Sequence, residues 1–229
     1  MKSLNLKTYL LYALYIVRTN PSILLFLAIF GLLNGITVYL PKEGSVQLIN
    51  TLTILAAIFI SPVIYGIYYE KIEDKYSSII SIFKTYVGGY LLVLFCMYIP
   101  IITTTALIMS ASSAAGNTGY VMITILIFSL LFIYVIPAYY ISGKILESIS
   151  YGVRFFLGNI LNSAPLLMMA LFSELLLLLS HFQLESVREQ TPALFVTLDF
   201  TLYMISSIVD FTLFIMLIYV LRNEDIKKR

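Results

Sequence analysis

Long runs of apolar residues, separated by short polar segments, are the main pattern along this chain. Six of these runs reach the length of about 20 residues that a helix needs to cross a hydrocarbon layer about 30 Å thick. The runs are continuous and do not alternate in polarity, which favours helices over the strands of a membrane barrel. The pattern predicts an all-α integral membrane bundle, one domain over residues 1–229, with six transmembrane helices at about 22–40, 48–68, 86–108, 118–141, 157–179 and 196–221.

A second pattern groups these spans in pairs. Arg18, Lys84 and Arg154 recur at intervals of 66 and 70 residues, and each closes an amphipathic stretch that a span follows. The sequence therefore predicts three repeats, each made of one interfacial amphipathic helix and two spans, with these three cations as interfacial anchors. The interfacial helices either lie on the lipid surface as elbows or dock a cytoplasmic partner.

The apolar positions of two amphipathic stretches follow helical spacing. In the second stretch, from Glu70 to Lys84, the predicted apolar stripe consists of Ile72, Tyr76, Ile79, Ile80 and Phe83. In the third stretch it consists of Ile145, Ile149, Val153 and Phe156, with Lys144, Glu147 and Ser148 on the opposite side.

Composition and the distribution of charge predict where the protein is located. The chain is 60% hydrophobic and 11% charged, with a mean hydropathy of +0.97, which is too apolar for an ordinary soluble domain. Of its 14 basic residues, 12 lie in the N-terminal segment, the second and fourth loops and the tail. Because cytoplasmic segments retain Lys and Arg, this predicts a plasma-membrane protein with both termini in the cytoplasm and with residues 22–40 kept as a signal anchor. The spread of these cations over four segments fits anionic lipids as partners and does not indicate nucleic acid.

Acidic residues inside the predicted spans are the candidate chemistry, because a central carboxylate costs about 2.5–3.5 kcal/mol on insertion scales. Asp210 lies midway along the sixth span and Glu174 lies in the fifth, and no Lys or Arg lies within any span. Helical spacing from Asp199 to Asp210 places a polar stripe on one face of the sixth span. We expect a proton or cation site that consists of Asp210, Glu174, Ser206, Ser207, Tyr203 and Asp199. The alternative is that a protonated Asp210 simply hydrogen-bonds a neighbouring helix.

Several kinds of chemistry have no support in the sequence. Cys96 is the only cysteine and His181 the only histidine, so we expect no disulfide within the chain, no metal site and no cofactor. The GxxxxGK[ST], GxSxG and HExxH motifs are absent, and we therefore expect no enzyme. The chain is predicted to move a small solute or ion, or to be the membrane subunit of a transport complex with membrane or cytoplasmic partner subunits. The alternative is a structural or assembly subunit that binds lipid or partner proteins.

One segment, from Pro137 to Leu161, carries a family resemblance. There a helix that ends in a proline leads to an amphipathic stretch, a basic residue and the next span. The pattern consists of Pro137, Glu147, Ser148, Arg154 and Asn159, with Pro62, Ser78 and Lys84 as a weaker copy. This pattern resembles the recurring element of a loose group of six-helix prokaryotic membrane proteins that includes the membrane domain of some glycerophosphodiester phosphodiesterases. The resemblance implies a fold and no activity, because the diesterase domain that carries catalysis in that group is not in this chain.

Overall fold

The computed structural model describes residues 6–36, 39, 43–111, 117–183 and 190–228. Every regular element in this part of the chain is an α-helix, and no strand occurs in it. The helices are α1 (Leu6–Arg18), α2 (Pro21–Ile36), α3 (Glu43–Ile72), α4 (Ile79–Ala111), α5 (Asn117–Leu131), α6 (Val135–Ser142), α7 (Ile145–Gly158), α8 (Ala164–Gln183) and α9 (Pro192–Lys228).

Several of these helices have the length and composition of membrane spans. Within the described residues four pass that test, namely α3, α4, α5 with α6 as one unit, and α9. A fifth span results if α1 and α2 are taken together, although they meet at an angle of 76°. The apolar part of α8, Ala164–Leu176, is shorter. The all-helical fold is confirmed, and four or five helices have the length and composition of membrane spans, whereas six spans, the threefold repeat and the cytoplasmic location of both termini stay predictions.

The last described helix, α9, lies at the centre of the bundle. It packs against α1, α2, α3, α6 and α8, and every residue from Phe211 to Ile218 is buried. One end of α9 is tied by polar contacts, since Arg222 forms an ion pair with Glu73 and the amide nitrogen of Asn223 donates to the Tyr9 hydroxyl at 2.5 Å. These contacts fix the position of the helix that carries Asp210.

The predicted amphipathic helix from Glu70 to Lys84 is wrong. The chain leaves the helix after Ile72 and turns through residues 73–78, where Asp74 adopts a left-handed φ of 52°. Glu70 holds this turn, because its carbonyl accepts the Lys75 N–H at 2.8 Å and its carboxylate accepts the Ser77 N–H at 2.9 Å. The apolar stripe is therefore divided between two helices. The threefold repeat stays a prediction, and its middle unit has no separate helix before the span.

A separate helix does precede the fifth predicted span, but its buried side differs from the prediction. The buried residues of α7 include Ser148, which we expected on the polar side, together with Gly152 and Phe156. Ser148 can be buried because its hydroxyl hydrogen-bonds the Ser142 hydroxyl at 2.8 Å. The fifth span was predicted from residue 157, whereas α8 begins at Ala164 after a turn over residues 159–163.

The fourth predicted span, 118–141, is interrupted by one turn of non-α-helical backbone. The chain turns at residues 132–134 between α5 and α6. Pro137 stands in the first turn of α6, where its missing N–H and fixed φ are tolerated. Helix α6, which follows the interruption, contacts α9.

Candidate functional site

A cleft of about 230 Å³ lies among α3, α5, α6, α8 and α9. Glu174 of α8 and Asp210 of α9 both line it, and Tyr65 and Ser129 are its other polar side chains. The remaining lining residues are apolar, and none of the lining residues is Lys, Arg or His. The structure therefore brings two acidic side chains from different helices to one cleft without a cationic side chain in its wall.

Asp210 is held in place by hydroxyl groups. The Ser173 hydroxyl donates to Asp210 Oδ1 at 2.6 Å, and the hydroxyls of Ser173 and Ser206 lie 2.8 Å apart. A serine hydroxyl has one hydrogen, so the Ser206 hydroxyl donates to Ser173 when Ser173 donates to a carboxylate. Both serines are buried. The resulting chain from Ser206 through Ser173 to Asp210 joins α8 to α9, and each bond in it strengthens the next.

The break between α5 and α6 borders the same cleft. Ser129, Ile133 and Pro137 all line it. Because Pro137 has no N–H, the Ile133 carbonyl lacks the donor that an uninterrupted helix would supply four residues later. Broken helices recur at the ion sites of membrane transporters, because freed backbone oxygens replace water around a cation. The cleft therefore combines two carboxyl groups, the hydroxyl groups of Tyr65 and Ser129, and an interrupted helix.

Glu174 also borders a second cleft, of about 260 Å³, between α5 and α8. Leu126, Met168 and Phe172 are among its lining residues, and apart from Glu174 its lining is apolar. Met168 and Phe172 are exposed, which places this second cleft at the surface of the bundle. Glu174 thus stands between an apolar surface cleft and the inner cleft that holds Asp210.

Four of the six predicted site residues do not line the inner cleft, namely Tyr203, Ser206, Ser207 and Asp199. Tyr203 instead packs against α2, where a Cβ added to Gly31 would lie 2.9 Å from its ring. Asp199 is also buried, but at another level of α9. It precedes Asp210 by 11 positions, which correspond to about 16 Å of helix. Ser206 joins the site through Ser173.

Sequence reasoning missed Ser173, Ser129 and Tyr65. Ser173 directly precedes Glu174 in an otherwise apolar segment, and a hydroxyl beside a buried acid was a usable signal. Tyr65 could not have been singled out, since it is one of 18 tyrosines. In the fold its ring centroid lies 4.4 Å from that of Phe214, one turn beyond Asp210 on α9.

The three predicted anchors lie apart from the cleft. Arg18 is the last residue of α1, Lys84 lies in the second turn of α4 and Arg154 lies in α7. All three are exposed, and none forms an ion pair with another described residue. No group of three or more His, Cys, Asp or Glu side chains is placed to hold a metal ion within the described part of the chain.

Comparison with protein-family models, with curated proteins and with solved structures finds no match to this chain. The resemblance to the six-helix group therefore stays a prediction. What the chain does has to be inferred from its own geometry.

Proposed function

We propose that this chain is a multi-pass membrane protein that binds a proton or a small monovalent cation between Glu174 and Asp210 and couples this binding to transport. The observation that carries the proposal is the shared cleft, in which two carboxyl groups meet without a cationic side chain. A carboxylate in apolar surroundings needs a proton, a hydrogen-bond donor or a bound cation. Ser173 supplies one donor to Asp210, whereas no hydrogen bond from the described residues reaches the Glu174 carboxyl group.

The chemistry of this pair supports exchange between a proton and a cation. Charge on one carboxyl group disfavours charge on the other, so the two groups do not ionise independently. A bound cation therefore replaces a proton, and the return of the proton releases the cation. The Ser129 hydroxyl and the interrupted helix around Ile133 offer further oxygen ligands. Glu174, which borders both clefts, is the group through which the ion reaches Asp210.

Carbodiimide labelling of the purified protein in mild detergent tests the site itself. These reagents modify protonated carboxyl groups in apolar surroundings, and peptide mass spectrometry locates the modified residue. We expect modification of Asp210 or Glu174 that decreases at high pH and in the presence of Na⁺. The Asp74→Asn variant, which removes an exposed carboxylate from the 73–78 turn, should label like the wild type. The proposal is contradicted if neither residue is labelled. It is also contradicted if the extent of labelling changes neither with pH nor with added Na⁺, K⁺ or Li⁺.

Proton flux in liposomes tests the coupling. Vesicles of phosphatidylethanolamine and phosphatidylglycerol that contain a pH-sensitive dye should acidify or alkalinise when a Na⁺ or K⁺ gradient is applied to the wild type. Asp210→Asn and Glu174→Gln should abolish this response, and Asp74→Asn should preserve it. An unchanged response in Asp210→Asn would mean that Asp210 only bonds to α8.

A structural or assembly subunit is the second candidate, and the surface cleft between α5 and α8 favours it. Met168, Phe172 and Leu175 of α8 are all exposed there, and a partner helix could cover them. Purification from the native host in mild detergent separates the two candidates. A stoichiometric membrane subunit or ATPase that co-purifies would support the assembly role, whereas a lone species that passes the flux test would support autonomous transport.

A further inference from the structure

A pocket of about 570 Å³ lies in the elbow between α6 and α7. From α6 it is lined by Ala138 and Ile141, which form an apolar wall. From α7 it is lined by Leu146, Ser150 and Arg154, which are four residues apart and therefore share one face of the helix. Ser142, Glu147, Ser148 and Tyr151 complete the lining, so the pocket combines apolar side chains with several hydroxyl groups, one carboxylate and one guanidinium group.

The elbow that forms this pocket is fixed by its own contacts. Gly143 ends α6 with a left-handed φ of 69°, and its N–H donates to the Tyr139 carbonyl at 2.8 Å. Gly152 lets α7 lie directly against α6, because a Cβ at this position would lie 2.8 Å from the Val135 Cα. A pocket between two helices held this closely exists before any ligand binds, which lowers the cost of binding.

Arg154 differs from the other two predicted anchors, because it lines this pocket whereas Arg18 and Lys84 do not. The one acidic residue in the lining, Glu147, pairs with Lys144 at 2.7 Å. Arg154 itself forms no ion pair with a described acidic side chain. The pocket is suited to an anion.

The surroundings of the pocket indicate that this anion belongs to a lipid. Leu146, which lines the pocket, is 78% exposed. Beyond the pocket, Leu157 near the end of α7 is 61% exposed, and Leu161 in the turn that follows α7 is 86% exposed. In a membrane bundle such side chains contact acyl chains, and long amphipathic segments with a cation bind lipid headgroups in this way. A free phosphate ion would leave the apolar wall of Ala138 and Ile141 without a partner.

We propose that the α6–α7 pocket binds the phosphate group of a phospholipid. The Arg154 guanidinium donates to two phosphate oxygens, since its planar fork matches phosphate geometry. The Ser150 hydroxyl donates to the same group. Ala138, Ile141 and Leu146 contact the glycerol and the upper part of an acyl chain. This site does not depend on the Glu174–Asp210 cleft.

Native mass spectrometry of the purified, delipidated protein tests this site. Phosphatidylglycerol is the lipid probe, and inorganic phosphate is the free-anion probe. We expect Arg154→Gln to weaken the tightest phosphatidylglycerol binding by about ten-fold, because it removes charge-assisted hydrogen bonds. Arg154→Lys should recover part of the loss. The matched controls Arg18→Gln and Lys84→Gln, which remove exposed cations elsewhere, should change this binding by less than two-fold, a difference of about 0.4 kcal/mol.

A second variant keeps the test independent of Arg154. Ser150 is exposed, so Ser150→Asp should fold normally while placing a carboxylate in the pocket, and we expect it to abolish the tightest lipid binding. Equal losses in Arg18→Gln, Lys84→Gln and Arg154→Gln would overturn the proposal, because they would show attraction by general surface charge. Inorganic phosphate that binds as tightly as phosphatidylglycerol would also overturn the assignment to a lipid.

Discussion

The helices α9 and α4 are nearly equal in apolar character and opposite in position. Their most apolar windows have mean hydropathies of 2.2 and 2.3, yet 61% of the window is buried in α9 and 6% in α4. In a membrane, lipid accepts apolar surface as readily as protein does, so hydropathy does not select the central helix. What α9 has in its buried part is polar groups, with Ser206, Asp210 and Thr212 within seven residues. In α9, polar side chains lie in the buried part of the helix.

The two helices also contact their neighbours differently. α9 carries apolar side chains that are fully buried among its neighbours, such as Ile215 and Ile218. α4 instead approaches its neighbours closely at glycines. A Cβ at Gly89 of α4 would meet the Tyr139 hydroxyl of α6, and a Cβ at Gly66 of α3 would meet Ile82 of α4. Buried side chains hold the central helix, which also approaches α2 closely at Gly31, whereas α4 approaches its neighbours at Gly66 and Gly89 and buries few side chains.

The largest expected difference between the two helices is in the loss of stability when an isoleucine is replaced by alanine. Ile218→Ala in α9 removes a fully buried side chain and should lower the free energy of unfolding by about 2–5 kcal/mol, as is usual for cavity formation. Ile102→Ala in α4 truncates a side chain that is 64% exposed and should change the free energy of unfolding by about 0.5 kcal/mol or less. Unfolding by sodium dodecyl sulfate in mixed micelles measures both. Equal losses would show that α4 is also covered.

The next expected effect concerns the two adjacent glycines of α4. Gly89→Ala should destabilise the protein by about 1–3 kcal/mol, because the new methyl group displaces Tyr139 from its place. Gly88→Ala meets no atom within 4 Å and should be neutral or stabilising by up to about 1 kcal/mol, as is usual for alanine in a helix. Unfolding by sodium dodecyl sulfate measures the stability of both variants. Similar values for the two variants would argue against close packing of α4 on α6.

The smallest expected effect concerns hydroxyl groups. Ser173→Ala and Ser206→Ala break a bond between two helices, and their double-mutant cycle should give a coupling energy of about 0.6 kcal/mol, typical of such bonds in membranes. Thr103→Ala in α4 removes a bond to a carbonyl of its own helix, at Ile99, and should change stability by less than about 0.5 kcal/mol. A cycle with no coupling would mean that the serines do not join α8 to α9.

Much of the fold follows from the sequence, because apolar runs of span length leave helices as the structure that satisfies the backbone in lipid. Which residues end a helix depends on tertiary contacts that periodicity does not contain. The apolar stripe from Ile72 to Phe83 predicts one helix, but the Glu70 carboxylate caps the Ser77 N–H and stabilises a turn. Likewise the polar character of Ser148 predicts exposure, whereas Ser142 lies close enough to satisfy its hydroxyl.

Part of the candidate site could also be predicted. The proximity of Glu174 to Asp210 was expected from their depths in adjacent spans, since unpaired acids are costly in hydrocarbon. Tyr203 was placed in the site because it shares a helix face with Asp210, but one face of a long helix passes several neighbours. Asp210 faces α8 and the inner cleft, whereas Tyr203 lies against α2. Only the packing of whole helices decides which part of a stripe shares a cavity.

The central position of α9 has a consequence for biogenesis. This helix follows the eight described helices in the chain, and so it is synthesised after all the elements that it joins. While α1, α2, α3, α6 and α8 are already in the bilayer, their common partner is still on the ribosome. Assembly of the native core is therefore a late step that follows insertion. Until α9 arrives, the surfaces of these five helices that face it lack their main protein partner.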